Sequence, residues 1–388
     1  MAVFVLAIFT DAIGKTLLPE WSKVMGIRVD YLSPTLYFLD ILWFFVFVSG
    51  WKEVKISFRK YGWMLGLVVV NIAVADRGWL TAYRWLRVAE MGWMYVYLRE
   101  NKKMLGEELK KVLPVWIVFE SFLGLGQIIW GGSLEGMFYW LGERRFTYSS
   151  IGVAQMAVWG RGIIRAYGTF SHPNSMAGFL LVAELLWISF RNKEKAIWWW
   201  LVFWAGLVGI MVSGSRTVWG LTAVLLVFNL FGKGRRRWGF VAMFLGVFMV
   251  VLAGISSNYV VTDWLGGWDS EGMLKRWSLD IAAVRMIKFN PLLGVGVGNF
   301  LSELPKYQNQ NGFYWLQPVH NIFLLVISEI GLLGLAILTR LKIRFDLRNK
   351  IYRSMVAVVA VTGMVDHYWL TLPQNSWLLV VLAVFLLR

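Results

Sequence analysis

The chain has 388 residues, of which 58% are hydrophobic and 16% charged, and its Lys and Arg outnumber its Asp and Glu by sixteen. A water-soluble domain runs at about 45–50% apolar with about a quarter charged, so this composition excludes an ordinary globule and disorder alike. The 24 Trp turn the basic balance towards a membrane rather than nucleic acid, the lack of Cys removes disulfides and thiolate chemistry, and three His argue against a His-rich metal cage.

A helix crosses a bilayer with about 20 apolar residues. Runs of this kind predict spans at 1–18, 34–50, 61–76, 79–98, 112–130, 174–190, 196–212, 217–231, 238–256, 321–339, 351–366 and 375–387. The first carries Asp11 and lacks the charged leader and cleavage site of a signal peptide, so it reads as an uncleaved span. Basic residues are retained on the cytoplasmic side. The connections at 52–60, 99–111, 191–195, 232–237 and 340–350, with Arg353 and Arg388, hold 23 basic residues, against 14 on the other side, whose loops are the longer ones and where Lys15 at the end of the first span is counted. The expectation is an all-α integral membrane protein of about twelve transmembrane helices, one polytopic domain over 1–388 with both termini cytoplasmic. Two outer loops, 131–173 and 257–320, are too long for turns and are expected to carry short helices at the interface.

Ionisable residues at membrane depth are costly and functional by default. Arg84 and Arg87 stand one turn apart in the fourth span, where they either pair with Glu90 or line a cavity. In RAYGTFSHPN (165–174), Asn174 reads as a helix N-cap and Pro173 restricts the residue before it. That explains neither Arg165, a candidate for anion binding, nor His172, a weaker one. The hairpin SGSRT (213–217) displays Arg216, whose planar fork suits a phosphate group, with snorkelling to the surface as the plainer reading. Asp269 and Glu271 read as a solvated loop, since no other carboxylate or histidine is placed to complete a metal site.

Arg276, Arg285 and Lys288 precede the run GVGVG (294–298), whose glycines suit a turn or close packing and not a dinucleotide fingerprint, because no βαβ unit surrounds them. Arg276 and Arg285 are half a helical turn out of phase, so both do not face one ligand. His320 opens the span 321–339, either as a capping group or as a catalyst. On a regular helix Gly331 falls about 20° from it and Gly334 about 40° the other way, a small-residue stripe that admits another helix.

The stretches holding Arg165, Arg216, Arg276 and His320, in this order, resemble the O-antigen ligase and polymerase family over about 165–335. His320, Asn321, nine residues, then Gly331 and Gly334 are similar to the family's His-Asn-x9-Gly-x-x-Gly signature; PLLGVGVGNF and SGSR resemble the runs that come before it. The resemblance implies a metal-independent, inverting glycosyltransferase of the bacterial inner membrane. Its donor is a glycan on a polyprenyl (undecaprenyl) pyrophosphate, its acceptor a hydroxyl on a glycan, lipid or protein, and it needs no cofactor and no nucleic acid. By that resemblance Arg216 and Arg276 hold the pyrophosphate, Arg165 assists, and His320 is the general base. A lipid-linked glycan transporter is the reading from another class; inverted repeats and broken midplane helices, the marks of one, are not visible in the sequence.

Overall fold

The computed structural model describes residues 7, 14–49, 51–158, 161–190, 196–230, 271–308, 314–341 and 343–388. The chain is mostly helical and divides into two compact units. One comprises Met1–Glu108, Gly272–Asn349 and Gly363–Arg388; the other comprises Leu109–Glu271 and Lys350–Thr362.

Helices occupy ten of the twelve predicted spans: Phe38–Ser49, Leu65–Val74, Gly78–Glu100, Lys102–Trp130, Pro173–Ser189, Ala196–Val212, Arg216–Leu230, Ile322–Leu338, Lys350–Val365 and Pro373–Leu386. Among the described residues, Lys102–Trp130 and Ile322–Leu341 are long and apolar enough to cross a membrane, and Phe38–Val48, Pro173–Ser189, Ile197–Val212, Arg216–Leu226 and Pro373–Leu386 are shorter apolar helices. The predicted span 238–256, the basic clusters at 191–195 and 232–237, and Asp269 lie outside the described residues. The far end of the predicted span 1–18 is corrected: Gly14–Thr16 is a strand paired antiparallel with Thr35–Tyr37. Between them a second hairpin, Lys23–Val24 with Ile27–Arg28, turns at Met25 and Gly26, both at positive φ. Arg77 donates to the carbonyls of Trp21 (3.1 Å) and Lys23 (2.7 Å), and Val24, Val29 and Leu32 bury against Leu80, Leu279, Met286 and Phe300. An apolar run that reads as a span thus ends as a cap over a core.

Within the first unit, Gly78–Glu100 packs against Trp51–Tyr61, Leu65–Val74 and Pro373–Leu386. The helix Ile322–Leu338 is broken at Gly331 (φ 66, ψ −178). In an unbroken helix the N–H groups of Leu332 and Leu333 would bond the carbonyls of Ser328 and Glu329. Here they donate to Pro291 O (2.8 Å) and Leu292 O (3.0 Å), while Ser328 O and Glu329 O accept from Val295 N and Gly296 N, both at 2.9 Å. The glycine-rich run therefore inserts its backbone into the break and pairs these four groups, as a membrane interior demands. The expected helix–helix contact at this glycine stripe is corrected: an extended loop occupies the place. At Gly334, an added Cβ would meet the side chain of Ile330 from the same helix.

Asn71, almost fully buried, locks the insertion. Its Nδ2 donates to Glu329 O (3.0 Å) and Leu293 O (3.4 Å), and its Oδ1 accepts from Val297 N and Trp85 Nε1, both at 2.9 Å. Replacing Asn71 with Leu leaves at least two buried donors unsatisfied, at about 1–3 kcal/mol each. Thermal unfolding of the purified variant should show a clearly lowered midpoint; an unchanged midpoint would remove Asn71 from this role.

In the second unit, polar side chains of Lys102–Trp130 organise the outer loop. Gln127 Oε1 accepts from Tyr167 N and Gly168 N, and its Nε2 donates to Gly168 O and Glu143, all at 2.9 Å. Glu120 accepts from Thr169 N (2.9 Å) and Thr169 Oγ1 (2.6 Å). The helices expected in 131–173 reduce to one turn, Met137–Trp140, beside an antiparallel hairpin, Gln155–Val158 with Arg161–Ile164. The second loop does carry helices, Glu271–Phe289 and Phe300–Tyr307.

Candidate functional site

Asn321 caps the helix that follows it, its side chain accepting from Phe323 N (2.9 Å) and Leu324 N (3.1 Å). His320 is thereby released from the capping role. Its ring is half-buried, and its Nδ1 is buried with no hydrogen-bond partner. Beside it stand two residues that the sequence reading passed over, Asp366 and His367, in the bend between Lys350–Val365 and Tyr368–Thr371. The His320 and His367 ring centroids are 5.3 Å apart, and one ligand atom from each of His320, Asp366 and His367 lies within 4.8 Å of the others. Two of the three histidines therefore converge, an arrangement the histidine count did not suggest. Asp366 accepts from His367 N (2.8 Å), Thr371 Oγ1 bonds His367 Nδ1 (2.7 Å), and the Tyr31 ring meets His367 edge-on at 5.5 Å.

Burial pushes the His320 imidazole well below its ordinary value, to about 3; the Asp366 carboxylate opposes this, and His367, Arg276 and Lys275 add to it. Burial lowers His367 too. Burial thus favours the neutral form of both rings, which carries a lone pair. Arg276, exposed on Glu271–Phe289, is near enough for its charge to act on His320, so the structure brings these two predicted residues together. Lys275 lies over the Trp315 ring at 5.1 Å. Arg285, by contrast, donates to Tyr307 O (3.0 Å), in keeping with its different phase.

The other two predicted arginines belong to the second unit. Arg165 Nε donates to Ser213 O (2.7 Å) and Nη2 to Asn174 Oδ1 (2.6 Å), so it braces the Ser-Gly-Ser turn against the start of Pro173–Ser189. The N-cap there is corrected: Pro173 is the first helical residue, suited by its fixed φ and missing N–H, and His172 caps, its Nδ1 accepting from Asn174 N (3.2 Å). Gly214 turns at φ 65, and an added Cβ would stand 3.0 Å from Arg165 Nε. Arg216 is exposed at the first position of Arg216–Leu230. A cation there opposes the helix macrodipole, and an anion bound at the turn would reconcile the two.

Arg87 pairs with Asp40 and with Glu90 (2.7 Å), which is the ion-pair alternative. Arg84 donates to Tyr31 O and packs where a Cβ at Gly298 would fall. A cleft of about 490 Å³ in the same unit is lined by Asp76, Glu303, Lys306 and the stretch Asn290–Val295, without either arginine. Arg84 instead holds Tyr31, which in turn packs on His367.

The order Arg216, Arg276, His320, Asn321, Gly331, Gly334 now has a matching sequence segment. Residues 201–339 match the O-antigen ligase family. The match covers a little over a third of the chain and supports the O-antigen ligase and polymerase family, which is membrane-embedded. Arg165 lies before the O-antigen ligase segment, and Asp366 and His367 lie after it. No curated protein matches the chain. The match supports an activity of O-antigen ligase or polymerase type in general, and among the described residues His320 stands with a carboxylate and an arginine near it.

A signal for Asp366 and His367 was present. An acid and a histidine in tandem end the predicted span 351–366 on the same side as His320, and adjacent titratable residues at a span's end are functional candidates on the same ground as the arginines.

Proposed function

We propose that the chain transfers a glycan from a polyprenyl pyrophosphate to an acceptor hydroxyl at the outer face of a bacterial inner membrane, with about twelve spans and both termini cytoplasmic. His320 is the general base. The acceptor oxygen attacks the anomeric carbon, its proton passes to the neutral imidazole, the bond from that carbon to the pyrophosphate oxygen breaks, and attack from the opposite face inverts the configuration. Proton removal by a positioned base contributes about 10²–10⁴-fold. Arg276 and Arg216 meet the charge that grows on the departing pyrophosphate, the part a metal plays elsewhere. Arg165 acts through the turn it braces. The observation that carries this reading is the half-buried His320, its Nδ1 without a hydrogen-bond partner, beside the Asp366 carboxylate, which favours the imidazolium that proton uptake forms.

Lysine cannot reproduce the bidentate fork of arginine. In proteoliposomes supplied with an undecaprenyl pyrophosphate glycan and acceptor, Arg276→Lys and Arg216→Lys should each slow transfer about tenfold or more. Lys288→Ala, at an exposed position of the same helix as Arg276, should transfer at the wild-type rate. Wild-type turnover in both arginine variants would contradict pyrophosphate binding by these residues.

A further inference from the structure

We propose that His320, Asp366 and His367 form a binding site for one divalent transition-metal ion of the zinc class, which neither the resemblance nor the family match assigns.

The donor set is two imidazoles and one carboxylate, the three-protein-ligand pattern that leaves a position open on zinc. It is assembled from two separate bends of the chain: the residue before Ile322–Leu338, and the pair between Lys350–Val365 and Tyr368–Thr371. One ligand atom from each residue already lies within 4.8 Å of the others. Metal–ligand bonds of about 2.0–2.2 Å place tetrahedral ligands about 3.3 Å apart, so closure needs side-chain movements of about 1 Å. His367 carries the outer partner that metal-bound histidines have: Thr371 Oγ1 at 2.7 Å fixes Nδ1 and leaves Nε2 for the metal. His320 Nδ1 is buried without a hydrogen-bond partner, and unlike an indole N–H an imidazole nitrogen can offer a lone pair to a metal. The charges of Lys275 and Arg276 act on His320 and oppose a hard cation bound only electrostatically. They leave the nitrogen-rich set selective for zinc, cobalt and nickel over magnesium and calcium.

Zinc on His320 takes the lone pair that accepts the acceptor's proton, so occupancy stops glycan transfer and a chelator restores it. This consequence rests on the transferase reading; metal binding itself does not, and the two fail separately.

The test uses the full-length protein in detergent, purified without a polyhistidine tag and titrated with Co2+ and then Zn2+ alone. Wild type should bind one ion per chain, with a visible cobalt absorption displaced by zinc. Asp366→Asn and His367→Asn should weaken binding by about tenfold or more. His172→Asn, which keeps a side-chain acceptor at the helix cap, should bind as wild type does. X-ray absorption on zinc-loaded wild type needs no variant and should show scattering from two imidazoles. Absence of a bound ion in folded wild type, binding that survives both Asp366→Asn and His367→Asn, or a shell without imidazole would overturn the proposal.

Discussion

Replacing His320 with alanine should abolish glycan transfer, by about 10²-fold or more in turnover, while leaving the fold intact. Two observations separate chemistry from stability. The cap of the following helix is the Asn321 side chain, bonded to Phe323 N and Leu324 N, so His320 contributes no helix hydrogen bond. Its Nδ1 has no partner to lose, and truncating a half-buried ring relieves a nitrogen that is now unsatisfied. His320→Ala should therefore melt near wild type in detergent and still bind the pyrophosphate donor. Asn321→Ala should do the reverse, losing about 1 kcal/mol of stability and retaining more of the turnover. A His320→Ala protein that transfers at the wild-type rate would remove the base from this mechanism.

Gly331→Ala should cost about 4 kcal/mol and prevent accumulation of folded protein. The residue sits at φ 66, ψ −178, a region that only glycine occupies at low cost. A Cβ there would lie 2.3 Å from Leu292 O and 2.6 Å from Gly294 N, both backbone atoms, so no rotamer change relieves the clash. Moving the loop aside forfeits the exchanged hydrogen bonds of Pro291, Leu292, Val295 and Gly296. Gly334→Ala is the contrast. Its added Cβ would stand 2.7 Å from Ile330 Cβ, which no rotamer change moves, but it meets neither a positive φ nor loop backbone among its nearest atoms, so the loss should be smaller, about 1–3 kcal/mol. Yield and thermal midpoint of the two variants decide the matter; equal midpoints would mean that the break does not depend on Gly331.

Hydropathy located the helices because burial in lipid or core rewards the same apolar runs. It overran at the far end of the first predicted span because Gly14–Thr16 satisfies its backbone by pairing with Thr35–Tyr37, which no local pattern reveals. The glycines of 294–298 were legible as a turn, but the partners of that turn, Ser328 and Glu329, were not. A regular 3.6-residue phase from His320 to Gly334 cannot survive a break at Gly331. Arg276 and His320 were legible as residue types suited to one reaction, and the structure puts the charge of one on the ring of the other. Arg165 was legible as a charge out of place, though its bonds to Ser213 O and Asn174 make it a brace. Asp366 and His367 belong to a span end whose nearness to His320 is a tertiary fact.

The break at Gly331 also bears on the transporter alternative. Broken helices in transporters leave backbone groups for a substrate or ion. Here the loop 291–296 and Asn71 consume those groups, so the break stabilises the scaffold beneath His320 and leaves no vacancy for cargo.

Under the proposed function, this chain breaks the bond between a glycan and its lipid pyrophosphate. Purified protein in liposomes, given an undecaprenyl pyrophosphate glycan of known mass together with candidate acceptors, tests it by mass spectrometry. The expected product is an acceptor heavier by the glycan, with one undecaprenyl pyrophosphate released per transfer; a single addition marks a ligase and a growing series a polymerase. Donor that reaches the opposite leaflet with its pyrophosphate bond intact, and no heavier acceptor, would contradict it.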